Sequence, residues 1–561
     1  MTIFKKPVFT ELQEIIGYFI VFVWLLFFVD FSVWWFLYNI PLSTTGYILT
    51  TISIFWLPVL SLYFFFFSLR QKESTEKTPI AEGRVAMITT KIPSEPFEIV
   101  QRTMECMLNQ NFPRGHDVWL ADEDPSEETI HWCRDHNVRI SCRRDDPNYH
   151  REIHPRKAKC KEGNLSFFYD HWGYKYYDFV VQFDADHAPE PDFLKEVMKE
   201  FSDPAVGYVA TPSITDGNLS DSWTVRARAF WESTNHGPIQ SGANNGFAPM
   251  CYGSHYSLRT VALKEIGGIG PEFAEDHTTT LLMNAHGWKG GFARNAIAHG
   301  NGAIGIGDSL MQEFQWSLIG IRALFMITPK YFFRLKPGVA FQFIIWELWY
   351  PVISIVTLIS ILLPTVTLLS KESLVGVESD GFLFRYALLN ILFLVYVIWL
   401  RSSRQLRPTW AWQVSWETII FQMIQFPWIA IGCLVGFYEV ITGKRAGKFG
   451  ITSKDANQTR NIPLFMFMPH LSIILVNLVA IFFVNNAGNA KGYFWFCWFV
   501  CFSYSYSIFV GLLLSVEENF KLLDLRGKLI YLWNHKYVMM FTVAAVVLTN
   551  DALFLLIHKA K

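Results

Sequence analysis

The chain has 561 residues, is 51% hydrophobic and 17% charged, and carries 48 basic against 49 acidic residues. Its charged fraction lies well below the roughly 25% of soluble proteins, and apolar runs longer than about 18 residues crowd both ends. These features exclude a soluble globular protein, a secreted disulfide scaffold and a disordered chain. The net charge of -1 gives no field that would attract nucleic acid. We expect an integral membrane protein with one sizeable polar domain.

Residues 1–69 are predicted to form two transmembrane helices, over 14–40 and 46–69. Lys5 and Lys6 precede the first helix, and further basic residues follow the second. Because cytosolic flanks are enriched in Lys and Arg, both flanks are predicted to lie in the cytosol. The first apolar run is too long for a signal-peptide core and lacks a small-residue cleavage site, so we expect an uncleaved anchor.

Short β-rich runs alternate with helical runs through residues 70–315. The predicted strands cover 84–90, 117–121, 138–142 and 179–184, and the predicted helices cover 97–109, 126–137 and 163–171. This alternation is typical of an open α/β sheet, in which ligands lie beyond the carboxyl ends of the strands. Four acids fall at those ends: Asp122, Asp124, Asp184 and Asp186.

The polar domain is predicted to return to the membrane through interface helices over 316–341 and a transmembrane pair over 342–402. If the apolar run 415–442 also crossed, the highly basic loop 443–460 would lie outside, against the positive-inside rule. Pro427 and the Trp-rich stretch before this run favour an interfacial or re-entrant helix over 403–442.

The C-terminal part, 461–561, is expected to hold further transmembrane helices. Their predicted ranges are 464–486, 493–515 and 537–557. The total is then seven crossings, with the C-terminus outside and no additional cytosolic domain after the last helix.

Asp184 and Asp186 directly follow an apolar strand in the sequence Phe-Asp-Ala-Asp-His. Two carboxylates one residue apart at a turn can hold Mg²⁺ or Mn²⁺, which prefers hard oxygen ligands and shares them with substrate phosphates. The alternative interpretation is an ordinary solvated turn.

A second pair of acids, Glu275 and Asp276, stands at the start of a predicted helix. A carboxylate at that position could take a proton from an attacking hydroxyl, although it is also a common helix cap. Gln312, Gln315 and Trp316 follow where the domain returns to the membrane, and there a lone Trp can equally be an interface anchor.

In their order and spacing, these motifs resemble those of the processive family 2 glycosyltransferases, which include cellulose, curdlan, hyaluronan and chitin synthases. The resemblance runs from about residue 84 to 460. It implies an α-helical transmembrane bundle that carries a cytosolic α/β domain of the GT-A type, with amphipathic interface helices.

The resemblance implies that the nucleotide sugar is bound by Asp122, by the K-x-G-N residues Lys161 and Asn164, and by the D-x-D motif. Asp184 and Asp186 of that motif would hold the cation and the diphosphate. Asp276 matches the base of the family's T-E-D motif. Glu275 precedes it, and Ala274 replaces the Thr.

Three further segments match family motifs that border the acceptor or the donor. Gly253, Ser254 and His255 match a small-residue loop beneath the acceptor. Gln312, Gln315 and Trp316 match Q-x-x-R-W at the entrance to the translocation channel. Phe449, Thr452 and Lys454 match the F-x-V-T-x-K gating loop, with Ile451 for Val, and this loop favours β-glucan synthases within the family.

Gln315 departs from the family pattern, because the matching residue is Arg. Arg would offer a fixed charge to the departing diphosphate, whereas Gln offers neutral donors. We expect Lys454, Arg322 or Lys330 to supply that charge, or product release to differ.

The implied reaction is inverting transfer from a nucleotide sugar, for which we expect UDP-glucose, to a nascent polysaccharide with β-1,4, β-1,3 or mixed linkage. The implied location is the bacterial inner membrane, in contact with lipids and with unspecified envelope subunits. Aromatic candidates for a channel wall, which could equally be bilayer anchors, are Trp346, Trp349, Tyr350, Trp410, Trp412 and Trp416.

Two alternatives remain open from the sequence. A non-processive enzyme that loads one sugar onto a lipid carrier would share the acidic motifs, but it would not need the gating loop. A transporter or channel with a regulatory domain would place ionisable residues within its crossings.

Overall fold

The structure is a computed structural model that describes residues 5–93, 95–158, 160–271, 274–377, 379–447, 459–484 and 490–559. The helices are α1 Glu11–Tyr38, α2 Thr44–Ser68, α3 Phe97–Leu108, α4 Glu127–Asp135, α5 Lys161–Phe168, α6 Tyr174–Tyr176, α7 Phe193–Glu200, α8 Trp223–Thr234, α9 Gln240–Ala243, α10 Thr260–Glu265, α11 Glu275–Ala285, α12 Ile306–Arg322, α13 Thr328–Tyr331, α14 Pro337–Ser370, α15 Ser379–Ser402, α16 Trp416–Thr442, α17 Met468–Phe483, α18 Tyr493–Lys521, α19 Leu525–Asn534 and α20 Lys536–Lys559. The strands are β1 Lys5–Pro7, β2 Ile40–Pro41, β3 Lys72–Ser74, β4 Val85–Lys91, β5 Asp117–Asp122, β6 Arg139–Ser141, β7 Phe179–Asp184, β8 Ala188–Pro189, β9 Val206–Ala210, β10 Ser213–Ile214, β11 His255–Arg259, β12 Lys289–Phe292, β13 Ala298–His299 and β14 Val375–Gly376.

Within the described residues, the polar domain is built on a seven-stranded sheet of order β12-β9-β11-β7-β4-β5-β6. Strand β4 pairs in parallel with β5 and β7, and β5 pairs in parallel with β6. These strands are almost continuously apolar because helices cover both faces of the sheet. The predicted α/β sheet is confirmed, and its strand boundaries agree to within a residue or two. The parallel strands bring Asp122 and Asp184 to the same sheet edge.

Two short strand pairs fix the first membrane helices. Strand β1 pairs with β3, which brings together the outer ends of the α1–α2 hairpin. Lys5 of β1 lies 2.8 Å from Glu200 Oε2 in the polar domain. At the opposite ends of the helices, β2 pairs with β14, so the α1–α2 turn meets the α14–α15 turn. The two hairpins therefore have their open ends on the side of the polar domain.

In the described residues, two large hydrophobic cores lie among the apolar helices. Aromatic side chains of α1, α2 and α15 form one core, which includes Trp24, Phe31 and Tyr396. Side chains of α14, α16, α17, α18 and α20 form the other. Buried hydrogen bonds cross between helices, as from Thr365 Oγ1 of α14 to Asn477 Oδ1 of α17 at 2.8 Å. Such polar contacts fix helix positions where apolar packing alone is permissive.

Seven helices of the described ranges are long and apolar enough to cross a membrane: α1, α2, α14, α15, α16, α18 and α20. This set differs in one member from the predicted crossings. Helix α16, predicted to be interfacial, qualifies by length. Helix α17, predicted to cross, has 16 residues, or about 24 Å at 1.5 Å per residue, which is short of the roughly 30 Å hydrocarbon core.

Helix α16 runs beside α12 in the same direction. Gly432 packs closely on Phe314, and Glu439 lies 3.5 Å from Arg322 Nη1 at the end of α12. At the start of α16, Glu417 Oε1 lies 2.7 Å from Arg226 Nη2 of α8. Helix α12 is continuous across residues 315 and 316, where the sequence predicted a boundary between the polar domain and the interface helices.

Close packing at Gly242 provides a test of how α9 docks on α2. A methyl group at Gly242 would overlap the Phe67 carbonyl oxygen. Because backbone atoms cannot move aside as a side chain can, we expect Gly242→Ala to destabilise the protein by about 1–3 kcal/mol. The measurement is the melting temperature of the detergent-solubilised protein. Gly492→Ala is the control, since Gly492 has a helical φ of -60° and open space around it. Equal melting temperatures for the two variants would contradict the docking.

Candidate active site

The D-x-D carboxylates converge with a histidine just beyond β7. One ligand atom each from Asp184, Asp186 and His187 lies within 4.8 Å of the others. Asp186 is buried, and its Oδ2 accepts the Asn301 amide at 2.8 Å. Two carboxylates and an imidazole suit Mg²⁺ or Mn²⁺. His187 was not among the predicted ligands, although its position next to the D-x-D motif was the available signal.

Lys161 links this cluster to a neighbouring loop. Its Nζ lies 2.6 Å from Asp184 Oδ1 and also donates to the Gly253 carbonyl. The Asp184 amide in turn donates to the Ser254 carbonyl at 2.7 Å. Burial alone would lower the pKa of Lys161, but the carboxylates of Asp184 and Glu275 outweigh it and raise that pKa. Lys161 therefore carries a positive charge against the D-x-D motif.

The second acidic pair lies across the same loop, at the start of α11. Asp276 Oδ1 accepts the His277 amide at 2.8 Å. A methyl group on Gly253 would lie in ordinary contact with Asp276 Oδ2, at 3.4 Å, so the Gly253 loop directly faces this carboxylate. Burial raises the pKa of both carboxyls, and the charge of Asp276 raises that of Glu275 further. Asp276 is thus a stronger base than an exposed aspartate.

Asp122 and Asn164 lie at the neighbouring strand end. Asp122 is fully buried, and its Oδ2 lies 3.3 Å from Lys91 Nζ. Asn164 Nδ2 donates to the Ala121 carbonyl at 3.0 Å. In the described part of the chain, the buried Asn164 Oδ1 has no hydrogen-bond partner. Helix α5 thus touches β5 through Asn164 and β7 through Lys161.

The residues predicted to lie beneath the acceptor separate into two environments. Ser254 Oγ lies 2.8 Å from Ser213 Oγ at the edge of the site. His255 is only 1% exposed, donates from Nε2 to the Pro212 carbonyl at 3.1 Å, and stacks on Phe183. Burial lowers the pKa of His255 well below its usual range. His255 therefore supports the loop from within the core.

Trp316 presents one open face on α12. It is 41% exposed, and the guanidinium of Arg228 lies 4.7 Å from its ring centre. Arg228 Nη2 is held by Glu313 Oε1 at 2.9 Å. Gln312 and Gln315 are half-buried on the same helix. Sequence reasoning missed Arg228, because no motif links α8 to α12.

Phe449, Thr452 and Lys454 lie outside the described residues, so their roles stay predictions. The described residues before them are anchored at α16, where Glu439 Oε1 accepts the amides of Ala446 and Gly447 at 2.7 Å each. After them, Arg460 Nη1 lies 3.8 Å from Asp308 Oδ2 on α12. Of the other predicted cation suppliers, Arg322 pairs with Glu439, and Lys330 is exposed.

An aromatic series leads from the Gly253 loop toward the membrane helices. Tyr252 lies 6.4 Å, ring to ring, from Trp346 of α14, whose Nε1 donates to Tyr63 of α2 at 2.8 Å. Three other channel candidates are instead exposed, as bilayer anchors are: Trp410, Trp412 and Trp416.

The sequence is similar to known sequences over part of its length. The model of the glycosyl transferase family group 2 matches residues 179–556. The UDP-forming cellulose synthase catalytic subunit of Dictyostelium discoideum is 29% identical over 168 residues, which cover 29% of this chain and 15% of that protein. Cellulose synthase 1 catalytic subunit (UDP-forming) of Komagataeibacter xylinus is 26% identical over 250 residues, which cover 44% of this chain and 32% of that protein.

An N-acetylglucosaminyltransferase of Rhizobium sp. (strain N33) is 26% identical over 172 residues, which cover 29% of this chain and 37% of that protein. The matched region thus spans from 15% to 37% of the length of these relatives.

The buried pair of Lys91 and Asp122 generates a stability test. Lys91→Met leaves a buried carboxylate without its cation, and we expect a loss of about 3–5 kcal/mol in the free energy of unfolding. The double variant Lys91→Met/Asp122→Asn removes that charge and should recover much of the melting temperature. A double variant that melts no higher than Lys91→Met would show that the carboxylate is not the source of the loss.

Proposed function

The chain belongs to the glycosyl transferase family group 2, as the order of its motifs predicts, and we propose that it is a processive, inverting polysaccharide synthase. The observation that carries the proposal is the convergence of Asp184, Lys161 and Asp276 around Gly253. The names of the two cellulose synthase relatives support a β-glucan product and UDP-glucose as the donor.

Asp184, Asp186 and His187 would hold Mg²⁺ or Mn²⁺. The cation would neutralise charge on the departing diphosphate. Lys161 stands against Asp184 and adds a fixed positive charge at the same point. Asn164 presents its unpartnered carbonyl oxygen beside the end of β5, where it can accept a hydrogen bond from the nucleotide.

Asp276 would accept the proton of the acceptor hydroxyl as that oxygen attacks the anomeric carbon. Attack from the side opposite the diphosphate inverts the configuration at that carbon. Asp276 Oδ2 faces Gly253, which has no side chain to stand between the hydroxyl and this oxygen. Burial raises the pKa of Asp276, which makes it a better proton acceptor at neutral pH.

The nascent polysaccharide would stack on the open face of Trp316 and then pass the aromatic series of Tyr252, Trp346 and Tyr63. Sugar C–H faces pack on aromatic rings, and the Tyr63 hydroxyl and Trp346 indole offer polar contacts to sugar hydroxyls. The series joins the Gly253 loop to α2 and α14, which supports export through the membrane bundle.

For the membrane arrangement, we propose crossings by α1, α2, α14, α15, α17, α18 and α20, with the catalytic domain in the cytosol. Helix α16 would lie at the interface, because Glu417 and Glu439 attach both of its ends to α8 and α12. Helix α17 packs inside the bundle through Asn477, and α18 returns to the domain, where Glu518 accepts the Ser222 hydroxyl at 3.2 Å. The bacterial inner membrane fits this orientation.

The direct test is product formation by the purified protein in nanodiscs. The protein would receive Mg²⁺ or Mn²⁺ with UDP-glucose, UDP-N-acetylglucosamine or UDP-glucuronate in turn, and linkage-specific glucanases would digest the product. We expect polymer from UDP-glucose, with its linkage given by the enzyme that degrades it. A lipid-linked single sugar without polymer would overturn processivity, and no transfer from any donor would overturn the enzyme assignment.

Removal of the proposed base should stop turnover without loss of donor binding. Asp276→Asn is expected to lower kcat by about 10²–10⁴-fold, the usual contribution of a general base. UDP affinity, measured by calorimetry, should stay within about threefold because Asp276 is not among the proposed donor ligands. Asp221→Asn, at an exposed aspartate, is the matched control. Near-normal kcat in Asp276→Asn would refute the assignment of the base.

Metal removal supplies an independent test. EDTA should abolish turnover, and added Mn²⁺ should restore it. Asp186→Asn should raise the Mn²⁺ concentration for half-maximal activity by at least about tenfold, because it removes one carboxylate ligand. Asp192→Asn, an exposed aspartate nearby in the sequence, is the control. An unchanged Mn²⁺ requirement in Asp186→Asn would place the cation elsewhere.

A further inference from the structure

His277, the residue after the proposed base Asp276, joins helix α11 to helix α14. The His277 amide donates to Asp276 Oδ1 at 2.8 Å. Its side chain turns toward α14, where Nε2 lies 2.8 Å from Glu347 Oε1 and the ring packs 5.4 Å from that of Phe343. One residue therefore contacts the base through its backbone and α14 through its imidazole.

The buried carboxylate of Glu347 holds the His277 side chain in place. Its side chain is 1% exposed, and Thr328 Oγ1 donates to the same Oε1 atom at 2.5 Å. In the described ranges, Glu347 Oε2 is buried without a hydrogen-bond partner, and His277 is the ion-pair partner of the carboxylate. Because a buried carboxylate without polar partners is costly, this contact favours keeping the His277 side chain against Glu347.

We propose that Glu347 and His277 are positioning residues for Asp276. Glu347 fixes the imidazole, the imidazole fixes the backbone at the start of α11, and that backbone holds the Asp276 carboxylate toward Gly253. The pair also ties the base to α14. This inference rests on the proposed function, because it takes Asp276 as the base.

Other charged groups also act on Asp276. Glu275 precedes it on α11, Lys161 approaches from α5, and Asp184 lies at the end of β7. His277 is distinguished from these by its second bond, to an element outside the catalytic domain. Loss of Glu347 should therefore change Asp276 without changing the donor site.

The test compares three variants with UDP-glucose, or with the donor of the panel that is turned over. Glu347→Gln and His277→Gln should each lower kcat about tenfold with donor KM within twofold of wild type. The double variant should be no slower than the slower single variant, because both changes break the same link. In His277→Gln the acid limb of the kcat–pH profile should move to higher pH, because the charge of His277 lowers the pKa of Asp276 and is lost in that variant.

Glu417→Gln is the matched control. It removes charge from another buried carboxylate that pairs with a cation, Arg226, on a membrane-side helix. We expect wild-type kcat and an unchanged acid limb in this variant.

Unchanged kcat in Glu347→Gln, or losses that multiply in the double variant, would overturn the inference. If Glu347→Gln does not elute as a folded protein, His277→Gln carries the test alone, because the His277 side chain is 19% exposed and tolerates change better. Wild-type kcat and acid limb in His277→Gln would then overturn it. An inactive wild-type protein, or an unaffected Asp276→Asn variant, would instead refute the proposed function.

Discussion

The candidate active site depends on the contacts of one group, the amino group of Lys161. Asp184, Glu275 and Asp276 gather there in a weakly solvated region, where like charges repel strongly. A single protonated lysine between β7 and the Gly253 loop offsets part of that repulsion while the carboxyls remain close enough to act together. Helix α5 is positioned so that its first residue, Lys161, reaches Asp184 while Asn164 reaches the end of β5.

Buried ion pairs join helix α8 of the polar domain to helices α12 and α16. Arg226 pairs with Glu417, Arg228 with Glu313, and Arg322 with Glu439. Such pairs contribute little net stability, since desolvation offsets their attraction. They are directional, however, and a displaced helix would leave an unpaired charge in an apolar environment. They therefore fix the orientation of α8, α12 and α16 relative to one another, and they add little to the free energy of that packing.

The sheet and the positions of its acids could be predicted from the sequence, because a buried parallel strand is a continuous apolar run that ends where the polar residues begin. Asp184 is signalled in this way, and Asp276 is signalled by its position at the start of a predicted helix. The sequence carries no local signal for a side chain whose role depends on an element far away in the chain. The sequence suggests a loop at His255, but His255 is the buried first residue of strand β11. Arg228 reaches Trp316 only because α8 and α12 pack together. Length and hydropathy likewise do not signal that Glu417 and Glu439 attach the two ends of α16 to α8 and α12, because those partners lie far away in the chain.

The pairing of the first helices with α15 has a consequence for synthesis. Trp24 donates its indole N–H to the Leu389 carbonyl, 365 residues later in the chain. At roughly 5–20 residues per second, the ribosome needs about 20–70 s to make that partner. Throughout this interval the first hairpin stands in the bilayer with the aromatic side of α1 facing lipid. A contact surface of apolar and aromatic side chains is stable against lipid during this interval. A contact surface of charged side chains would be unstable there. Newly made α1 and α2 can therefore remain inserted while the catalytic domain folds between them and the helix that completes their packing.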